Sequence, residues 1–144
     1  PTFELFTDGA CLGNPGPGGW AYILRDSSCN EVVGSGGDKE TTNQRMEVTA
    51  VLRALESLSE PSFVKIHADS EYVTKTLSGR LDNWISRGWK TASKKPVANQ
   101  HLWKPLADLL KIHQVTTNWV KGHAGHPENE RCDTIASAEA DKFL

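Results

Sequence analysis

Four acidic residues have types and positions suited to holding divalent cations. Asp8 and Asp69 each end a short segment whose pattern predicts a β-strand. If those strands are parallel neighbours, their carboxyl ends meet at the crevice where open α/β sheets bind ligands. Glu47 lies four residues before Val51 and extends the apolar face of a predicted helix, while Asp133 lies on a small-residue face of the last predicted helix. We therefore expect all four carboxylates to approach the sheet.

The chemistry open to these carboxylates follows from their charge. Carboxylates brought together repel and raise one another's pKa unless a cation neutralises them. Carboxylate oxygens and water are the ligands that Mg²⁺ and Mn²⁺ prefer. Two such ions about 4 Å apart can activate a water and stabilise the leaving oxygen in phosphodiester cleavage. Taken singly, each acid also has an ordinary interpretation as a turn former, a rim residue or a surface helix residue.

His123 lies between two glycines in the segment Lys121–Pro127, just before the helix that carries Asp133. An imidazole beside a metal site could transfer a proton or help the product leave. It could equally be an ordinary loop histidine. A zinc site built from His123, His126 and Cys132 is disfavoured, because no fourth ligand stands at a suitable spacing.

Positive charge is concentrated in one part of the chain. The formal net charge is −2, which argues against a protein that binds polyanions over its whole surface. The segment Arg80–Lys104 holds six basic residues and one acidic residue, so it carries +5 and leaves −7 for the remainder. A basic segment on an acidic body indicates local contact with phosphates. The alternative is a solvated lysine-rich loop.

Length and composition narrow the class of protein. A chain of 144 residues fits one domain, residues 1–144, and is long enough to bury a core without disulfides or a structural metal. Its three cysteines are an odd number without CxxC spacing, which favours a reducing compartment and a cytoplasmic location. No apolar run approaches the length of a membrane helix, so we expect no membrane association.

The hydrophobic pattern predicts the elements that position these residues. Strands are predicted at residues 3–10, 20–25, 31–36, 63–68 and 115–120, with a turn at 14–19. The first helix is predicted to begin after Thr41 or Thr42 and to stop at 59–61, and a short second helix is predicted to be capped by Ser70 and to end at Gly79. Two further helices are predicted, one over residues 102–110 and one that begins at Pro127. The first three strands predict an antiparallel meander, and the alternation with helices favours parallel strands four and five. The expected fold class is therefore α/β, a mixed sheet with helices on its faces.

The motifs resemble those of ribonuclease H, type 1, of the bacterial kind. The matching segments run through nearly the whole chain in that family's order. They are Thr7–Gly19, Thr41–Glu47, Asp69–Val73, Arg87–Thr91, Lys94–Val97 and Trp119–Asp133.

The resemblance implies a ribonuclease H-like five-stranded sheet and an endonuclease that hydrolyses the RNA strand of RNA/DNA hybrids. It implies a two-metal mechanism that leaves 5′-phosphate and 3′-hydroxyl ends. Mg²⁺, with Mn²⁺ as a substitute, would bind as two ions when substrate is present. Asp8, Glu47, Asp69 and Asp133 would be the catalytic and metal-binding carboxylates, with His123 as the accessory histidine. The partner would be the hybrid duplex, bound by a monomer.

The resemblance also assigns substrate-binding residues, which fall into three sets. Amide side chains would read the minor groove, where RNA offers 2′-hydroxyls; a small pocket would hold a DNA phosphate; and the basic segment would meet further phosphates. The residues are Asn14, Asn43 and Gln44; Thr42 and Asn99; and Trp84, Arg87, Trp89, Lys90, Lys94 and Lys95. For the two tryptophans, packing within the basic segment is an equal alternative.

Some positions depart from the family's pattern without removing a proposed metal ligand. Glu40 stands where relatives commonly carry a basic residue that helps hold a DNA phosphate, and Glu71 replaces an amide. Arg80 replaces an aromatic residue common in bacterial relatives, and Ile85, Ser86 and Ala98 replace lysines found in some of them. Fewer cations predict weaker and less salt-sensitive binding.

These departures leave a second hypothesis, a catalytically silent module that binds hybrids. A third, an integrase-like or transposase-like nuclease of the same fold, is disfavoured by the detailed match of the hybrid-reading segments.

Overall fold

A computed structural model describes residues 1–121 and 126–144. The strands are β1 (Thr2–Cys11), β2 (Gly16–Asp26), β3 (Glu31–Thr41), β4 (Phe63–Ala68) and β5 (Gln114–Trp119). The helices are α1 (Asn43–Glu56), α2 (Glu71–Lys75), α3 (Leu81–Ser86), α4 (Gln100–Leu110) and α5 (Pro127–Asp141). A π-helical turn, Thr76–Arg80, joins α2 to α3.

The five strands form one mixed sheet in the order β3-β2-β1-β4-β5. β1 is antiparallel to β2, and β2 is antiparallel to β3. β1 is parallel to β4, and β4 is parallel to β5. The predicted antiparallel meander joined to parallel strands is therefore confirmed, with β1 at the centre of the sheet.

Helices cover both faces of the sheet because successive side chains of β1 point in opposite directions. Leu5 is fully buried in the larger apolar core, which includes Val51 of α1. The next residue, Phe6, belongs to a smaller core on the other face with Cys132 and Ala136 of α5. The central strand thus lies between α1 and α5, the helices that carry Glu47 and Asp133.

Helix α5 packs close to β2 because its buried face carries small side chains. Ala136 and Ala140 are fully buried. A Cβ atom on Gly19 would overlap the carbonyl oxygen of Ala136, so the close approach requires glycine in the strand. At the start of the helix, Arg25 Nη2 donates to Glu128 Oε1 at 2.9 Å.

The extents predicted for the second and third strands were wrong. The segment 14–19 was expected to be a turn, but β2 begins at Gly16, and β3 continues beyond residue 36 to Thr41. Gly19 pairs with Gly37 in the antiparallel register. These glycines serve close packing between strands and helices, so the local turn signal is overridden by tertiary contacts.

Thr42 is the N-cap of α1, one of the two residues expected there. Its Oγ1 accepts a hydrogen bond from the backbone N of Arg45 at 3.2 Å. The other candidate, Thr41, is the last residue of β3. Helix α1 ends at Glu56, three residues before the predicted stop at 59.

Ser70 caps α2 as predicted, and α5 begins at Pro127 as predicted. The short helix expected to end at Gly79 instead continues, through the π-helical turn and α3, to Ser86. Within residues 1–121 and 126–144, none of the helices is both long enough and apolar enough to cross a membrane.

Candidate active site

Asp8 and Asp69 are brought together by the register of two parallel strands. Thr7 of β1 pairs with Ala68 of β4, and this pair is the last one in the parallel pairing of the two strands. The next residues, Asp8 and Asp69, therefore lie side by side just beyond it. Asp8 is 4% exposed, and Asp69 is half-buried. The expected parallel pairing of the two strands is confirmed, and Asp69 directly follows β4, but β1 continues to Cys11, so Asp8 lies inside its strand, one residue past the end of the parallel pairing.

Glu47 reaches the same edge from α1. The helix approaches β1 so closely at Gly9 that a Cβ there would lie 2.5 Å from the backbone N of Glu47. Asn43 Nδ2 donates to Glu47 Oε1 at 3.0 Å, and the side chain of Ser70 is near enough to the Glu47 carboxylate to lower its pKa. The glutamate is therefore half-buried and held in place, as its position on the apolar face of α1 predicted.

The carboxylates of Asp8, Glu47 and Asp69 form one cluster, in which one oxygen of each lies within 4.8 Å of the others. Burial, followed by the charges of Asp69 and Asp133, raises the pKa of Asp8 to about 9, against the opposing hydrogen bond from Gly9 N at 2.9 Å. Burial also raises the pKa of Glu47, and Asp69 adds to that rise. The site thus disfavours negative charge unless something neutralises it.

Asp133 approaches this carboxylate cluster through Asp8. It lies in the second turn of α5, is exposed as a residue, and its side chain is close enough to hydrogen-bond with that of Asp8. All four predicted carboxylates therefore lie at one edge of the sheet.

The carboxylate cluster fits a hard divalent cation. Its donors are all carboxylate oxygens, which suit Mg²⁺ or Mn²⁺ rather than a metal that prefers sulfur or imidazole. The alternative zinc set gains no support from Cys132, because this thiol is fully buried and contacts the carbonyl oxygen of Phe6 at 3.5 Å. Burial raises the pKa of the Cys132 thiol to about 12, so it is not a ready thiolate ligand.

Two of the amide side chains predicted to contact substrate are connected to the carboxylate cluster. Asn14 Oδ1 accepts a hydrogen bond from the backbone N of Asn43 at 3.1 Å. The side chain of Asn43 in turn donates to Glu47. Gln44, the next residue, is exposed on the first turn of α1. The three amides therefore lie at or near the start of the helix that carries Glu47.

Thr42 and Asn99 are joined through Arg45, which the sequence did not single out. The backbone N of Arg45 donates a hydrogen bond to Thr42 Oγ1, and the Nε atom of Arg45 donates to Asn99 Oδ1 at 3.2 Å. Asn99 Nδ2 donates to the hydroxyl of Tyr72 at 3.2 Å, and Trp103 Nε1 donates to the same hydroxyl at 2.8 Å. The expected phosphate pocket is thus anchored to a fully buried tryptophan of α4.

The basic segment projects its cations into solvent. Its tip is held by a β-bridge between Lys90 and Pro96 and by a turn in which Lys95 O accepts from Thr91 N at 2.8 Å. The four predicted phosphate-binding cations are all at least partly exposed. They are Arg87, Lys90, Lys94 and Lys95.

Trp84 and Trp89, the tryptophans predicted to contact substrate, are both packed against other residues of the basic segment, which supports the alternative of internal packing. Trp84 meets Trp103 edge to face, with ring centroids 6.0 Å apart. Trp89 lies beneath Lys104, whose Nζ is 5.6 Å from the ring centroid. Each is only partly buried, so part of each side chain remains accessible.

Three further residues bear on the site. His123 lies outside the described residues. Glu40 is exposed near the end of β3, and Glu71 pairs with Lys75 at 2.9 Å on the surface of α2. The ion pair reduces the negative charge that Glu71 adds beside Asp69.

The amino-acid sequence was compared with protein-family models and with known proteins, and the matches are to RNase H proteins. A family model for RNase H matches residues 1–141. A Ribonuclease H of Brucella ovis is 53% identical over 140 residues, which cover 97% of this chain and 90% of the relative. A Ribonuclease H of Nitratidesulfovibrio vulgaris is 54% identical over 139 residues, which cover 96% of this chain and 88% of the relative.

Solved structures show the same fold. LC9-RNase H1, described as a type 1 RNase H with the type 2 active-site motif, superposes on this chain with a TM-score of 0.87 at 28% sequence identity. The superposition covers 100% of this chain and 74% of the LC9-RNase H1 chain. LC11-RNase H1, solved in complex with an RNA/DNA hybrid, superposes with a TM-score of 0.73 at 22% identity, covering 97% of both chains. Because the family model spans residues 1–141 and relatives share more than half of their residues with nearly the whole chain, the protein belongs to the RNase H family.

Proposed function

We propose that this protein is an endonuclease that hydrolyses the RNA strand of RNA/DNA hybrids in a reaction that requires divalent metal ions. The observation that carries the proposal is the cluster of Asp8, Glu47 and Asp69, whose oxygens lie within 4.8 Å of one another. The cluster occurs in a chain more than half identical to proteins named Ribonuclease H, and a structural relative is solved with the hybrid bound.

Asp8, Glu47 and Asp69 would hold two Mg²⁺ ions when substrate is bound, and Asp133 would complete the site through its contact with Asp8. Mn²⁺ would substitute for Mg²⁺. When bound, the ions supply an activated water and stabilise charge on the scissile phosphate. The raised pKa values of Asp8 and Glu47 support this assignment, because positive charge at the site would relieve the cost of ionising both acids.

Cleavage on the 3′-oxygen side of the phosphate would leave a 5′-phosphate and a 3′-hydroxyl. The carboxylates would orient the attacking water and the phosphate in line, so that the leaving oxygen departs on the opposite side. His123 would act as an accessory group that moves a proton or helps the product leave.

Asn14, Asn43 and Gln44 would distinguish RNA from DNA. Amide side chains both donate and accept hydrogen bonds, and the RNA strand offers 2′-hydroxyls that do the same. The contacts from Asn14 to Asn43 and from Asn43 to Glu47 support this assignment. Through them, a side chain that reads the sugar would sit one hydrogen bond away from a metal-binding carboxylate.

The DNA strand would be held by two surfaces. Thr42 and Asn99, linked through Arg45, would bind one phosphate. The exposed cations of the basic segment, together with the accessible parts of Trp84 and Trp89, would contact the strand further along.

The alternative function is that of a catalytically silent module, which binds RNA/DNA hybrids without cleaving them. It is favoured by Glu40 and Glu71, which place negative charge near the expected path of the substrate. The ion pair between Glu71 and Lys75 weakens this argument.

A cleavage assay separates the two functions. A hybrid labelled on its RNA strand is incubated with the protein in Mg²⁺, in Mn²⁺ and in chelator, beside duplex RNA and duplex DNA of the same sequence. The enzyme shortens only the RNA of the hybrid and only with metal, whereas the silent module shifts the hybrid on a native gel and leaves it intact. Extension of the product by a polymerase then tests for the 3′-hydroxyl.

We further infer that residues 1–144 act as one monomeric domain in the cytoplasm. The three cysteines are free thiols, which supports a reducing compartment. Light scattering of the purified protein tests the monomer.

A further inference from the structure

We propose that Asn129 is a positioning residue, which fixes α5 against β1 and β4 and thereby places Asp133 beside Asp8. The inference deepens the proposed function, because it names a residue that would control the metal affinity of the site without touching metal or substrate. Asn129 is not among the residues that the sequence indicated.

The side chain of Asn129 joins the two strands that carry the aspartates. It is fully buried, and its Nδ2 donates to the carbonyl oxygen of Thr7 at 3.3 Å and to that of His67 at 3.0 Å. The first carbonyl belongs to the residue before Asp8, and the second to a residue two before Asp69. One amide group therefore fixes α5 relative to both strands, close to the two aspartates.

Asn129 and Asp133 are four residues apart on α5, so they lie one above the other on the same helix face. The rise between them is about 6 Å. Any sliding or rotation of α5 that breaks the hydrogen bonds of Asn129 would therefore also carry Asp133 away from Asp8, whose side chain it approaches.

The other contacts of α5 fix its position less directionally. Among its other buried residues, Cys132 makes only a long thiol contact, 3.5 Å, with the carbonyl oxygen of Phe6, and Ala136 and Ala140 have no polar side-chain group. The ion pair between Arg25 and Glu128 is partly exposed, with 24% and 23% of the side chains accessible, and long exposed side chains can follow a small shift. The buried hydrogen bonds of Asn129 supply the geometric specificity that these contacts lack.

An uncharged side chain with two donors on one atom suits this role. Both acceptors are backbone carbonyls, so an aspartate would place negative charge against them, and a leucine of similar volume would leave both without this donor. Asn129→Leu therefore removes the two hydrogen bonds while nearly preserving the side-chain volume. Asn129→Ala removes the hydrogen bonds and most of the side-chain volume.

The first test measures Mn²⁺ binding by calorimetry in the absence of substrate, for the parent and both variants, at a temperature where circular dichroism shows each to be folded. We expect the dissociation constant to rise about 10-fold, the range found for residues that orient metal ligands. With hybrid, kcat at limiting Mg²⁺ should fall, excess Mg²⁺ should restore part of it, and KM for the hybrid should stay near that of the parent. If Asn129→Leu does not fold, Asn129→Ala provides the measurement.

A matched control distinguishes positioning from general stability. Leu106 is fully buried in the larger core, and Leu106→Ala should lower the melting temperature without changing the Mn²⁺ dissociation constant. If the Asn129 variants melt lower but bind Mn²⁺ like the parent, the residue is only structural and the proposal is wrong.

A double-mutant cycle tests the route through Asp133. In an Asp133→Asn background, loss of Asn129 should weaken Mn²⁺ binding much less than it does in the parent, because the residue it positions has already been changed. Fully additive effects would overturn the proposal. A parent that binds Mn²⁺ but fails to cut hybrid would contradict the proposed function alone, since the calorimetry uses no nucleic acid.

Discussion

Asp8 and Asp69 lie side by side because the residues before them, Thr7 and Ala68, are partners in the parallel register of β1 and β4. Glu47 joins them from α1 to form the carboxylate cluster. Strand pairing thus places two carboxyl groups together before any ligand is considered, and burial raises the pKa of Asp8 to about 9, so that ionising both without a cation is unfavourable. We therefore expect substitutions in the carboxylate cluster to change the stability of the folded protein as well as the rate of cleavage.

The first prediction concerns Asp8→Asn. Removing this charge should lower the rate of hybrid cleavage in Mg²⁺ by more than about 100-fold, because a metal-binding oxygen and its charge are removed. Binding of the hybrid should remain measurable by fluorescence anisotropy. Asp108→Asn, the same change at an acid whose side chain is 78% exposed on α4, should cleave like the parent. An undiminished rate in Asp8→Asn would remove the proposed role of Asp8.

The second prediction concerns stability without metal. In chelator, Asp8→Asn should melt about 4 °C or more above the parent, because it relieves repulsion within the carboxylate cluster. Mg²⁺ should then stabilise the parent more than the variant, since a ligand stabilises the folded state more when it binds more tightly. Calorimetric scans in chelator and in Mg²⁺ measure both effects. A variant that melts below the parent in chelator would count against electrostatic crowding.

The third prediction is a pH dependence of the metal-free protein. The pKa of Asp8 is raised from 3.8 to about 9 in the folded state, so the folded chain binds this proton more tightly than the unfolded chain does. The resulting contribution to stability is complete below about pH 4 and is lost as the pH rises towards 9. In denaturant titrations in chelator, the difference in unfolding free energy between Asp8→Asn and the parent should therefore grow across this range. A difference independent of pH would contradict the shifted pKa.

The fourth prediction uses a charge series at Glu40, which is exposed near the end of β3. Glu40→Gln and then Glu40→Arg should bind hybrid progressively more tightly, and the arginine variant should show the steeper dependence of affinity on salt. One added phosphate contact corresponds to a change of about 0.9 in the slope of log K against log salt. Equal affinities across the three proteins would place this residue away from the DNA strand.

The fifth prediction tests the basic segment. Replacing Lys94 and Lys95 together by alanine should reduce the salt slope of hybrid binding by about 1 to 2, one unit for each phosphate that a lysine no longer neutralises. Measuring in chelator prevents cleavage. The matched control replaces Lys111 and Lys142, whose side chains are 77% and 66% exposed outside this segment. If both double variants change the slope equally, the effect is one of net charge and the segment is not a specific contact.

Pattern alone placed the four carboxylates near the sheet, and the resemblance to the RNase H family assigned them as one set. The predicted parallel strands brought Asp8 and Asp69 together, and the spacing to Val51 placed Glu47 on the buried face of α1. The same reasoning placed Asp133 on a small-residue face of α5, and the structure places its side chain beside Asp8.

The strand boundaries that were missed depend on tertiary contacts. The glycines after Asn14 carry a strong local turn signal, yet Gly19 lies within β2, paired with Ala10 of β1 and Gly37 of β3, and the close approach of Ala136 of α5 leaves no space there for a side chain. No local rule reveals a close approach to a helix more than a hundred residues away.

The sequence also did not indicate Asn129 and Arg45, because their hydrogen-bond partners are likewise distant along the chain. Asn129 bonds to Thr7 across 122 positions of sequence, and Arg45 bonds to Asn99 across 54. Taken alone, each is an ordinary polar residue of a helix. Only the folded chain shows which backbone carbonyl or side chain each one meets.

The most direct test of the proposed metal site is anomalous diffraction from a crystal of the protein soaked in Mn²⁺. We expect anomalous density at the carboxylate cluster, in contact with oxygens of Asp8, Glu47 and Asp69, and its disappearance in Asp8→Asn. A well-ordered parent crystal that shows no Mn²⁺ at these oxygens at saturating concentration, or shows the metal only elsewhere, would contradict the metal-dependent function proposed for this cluster.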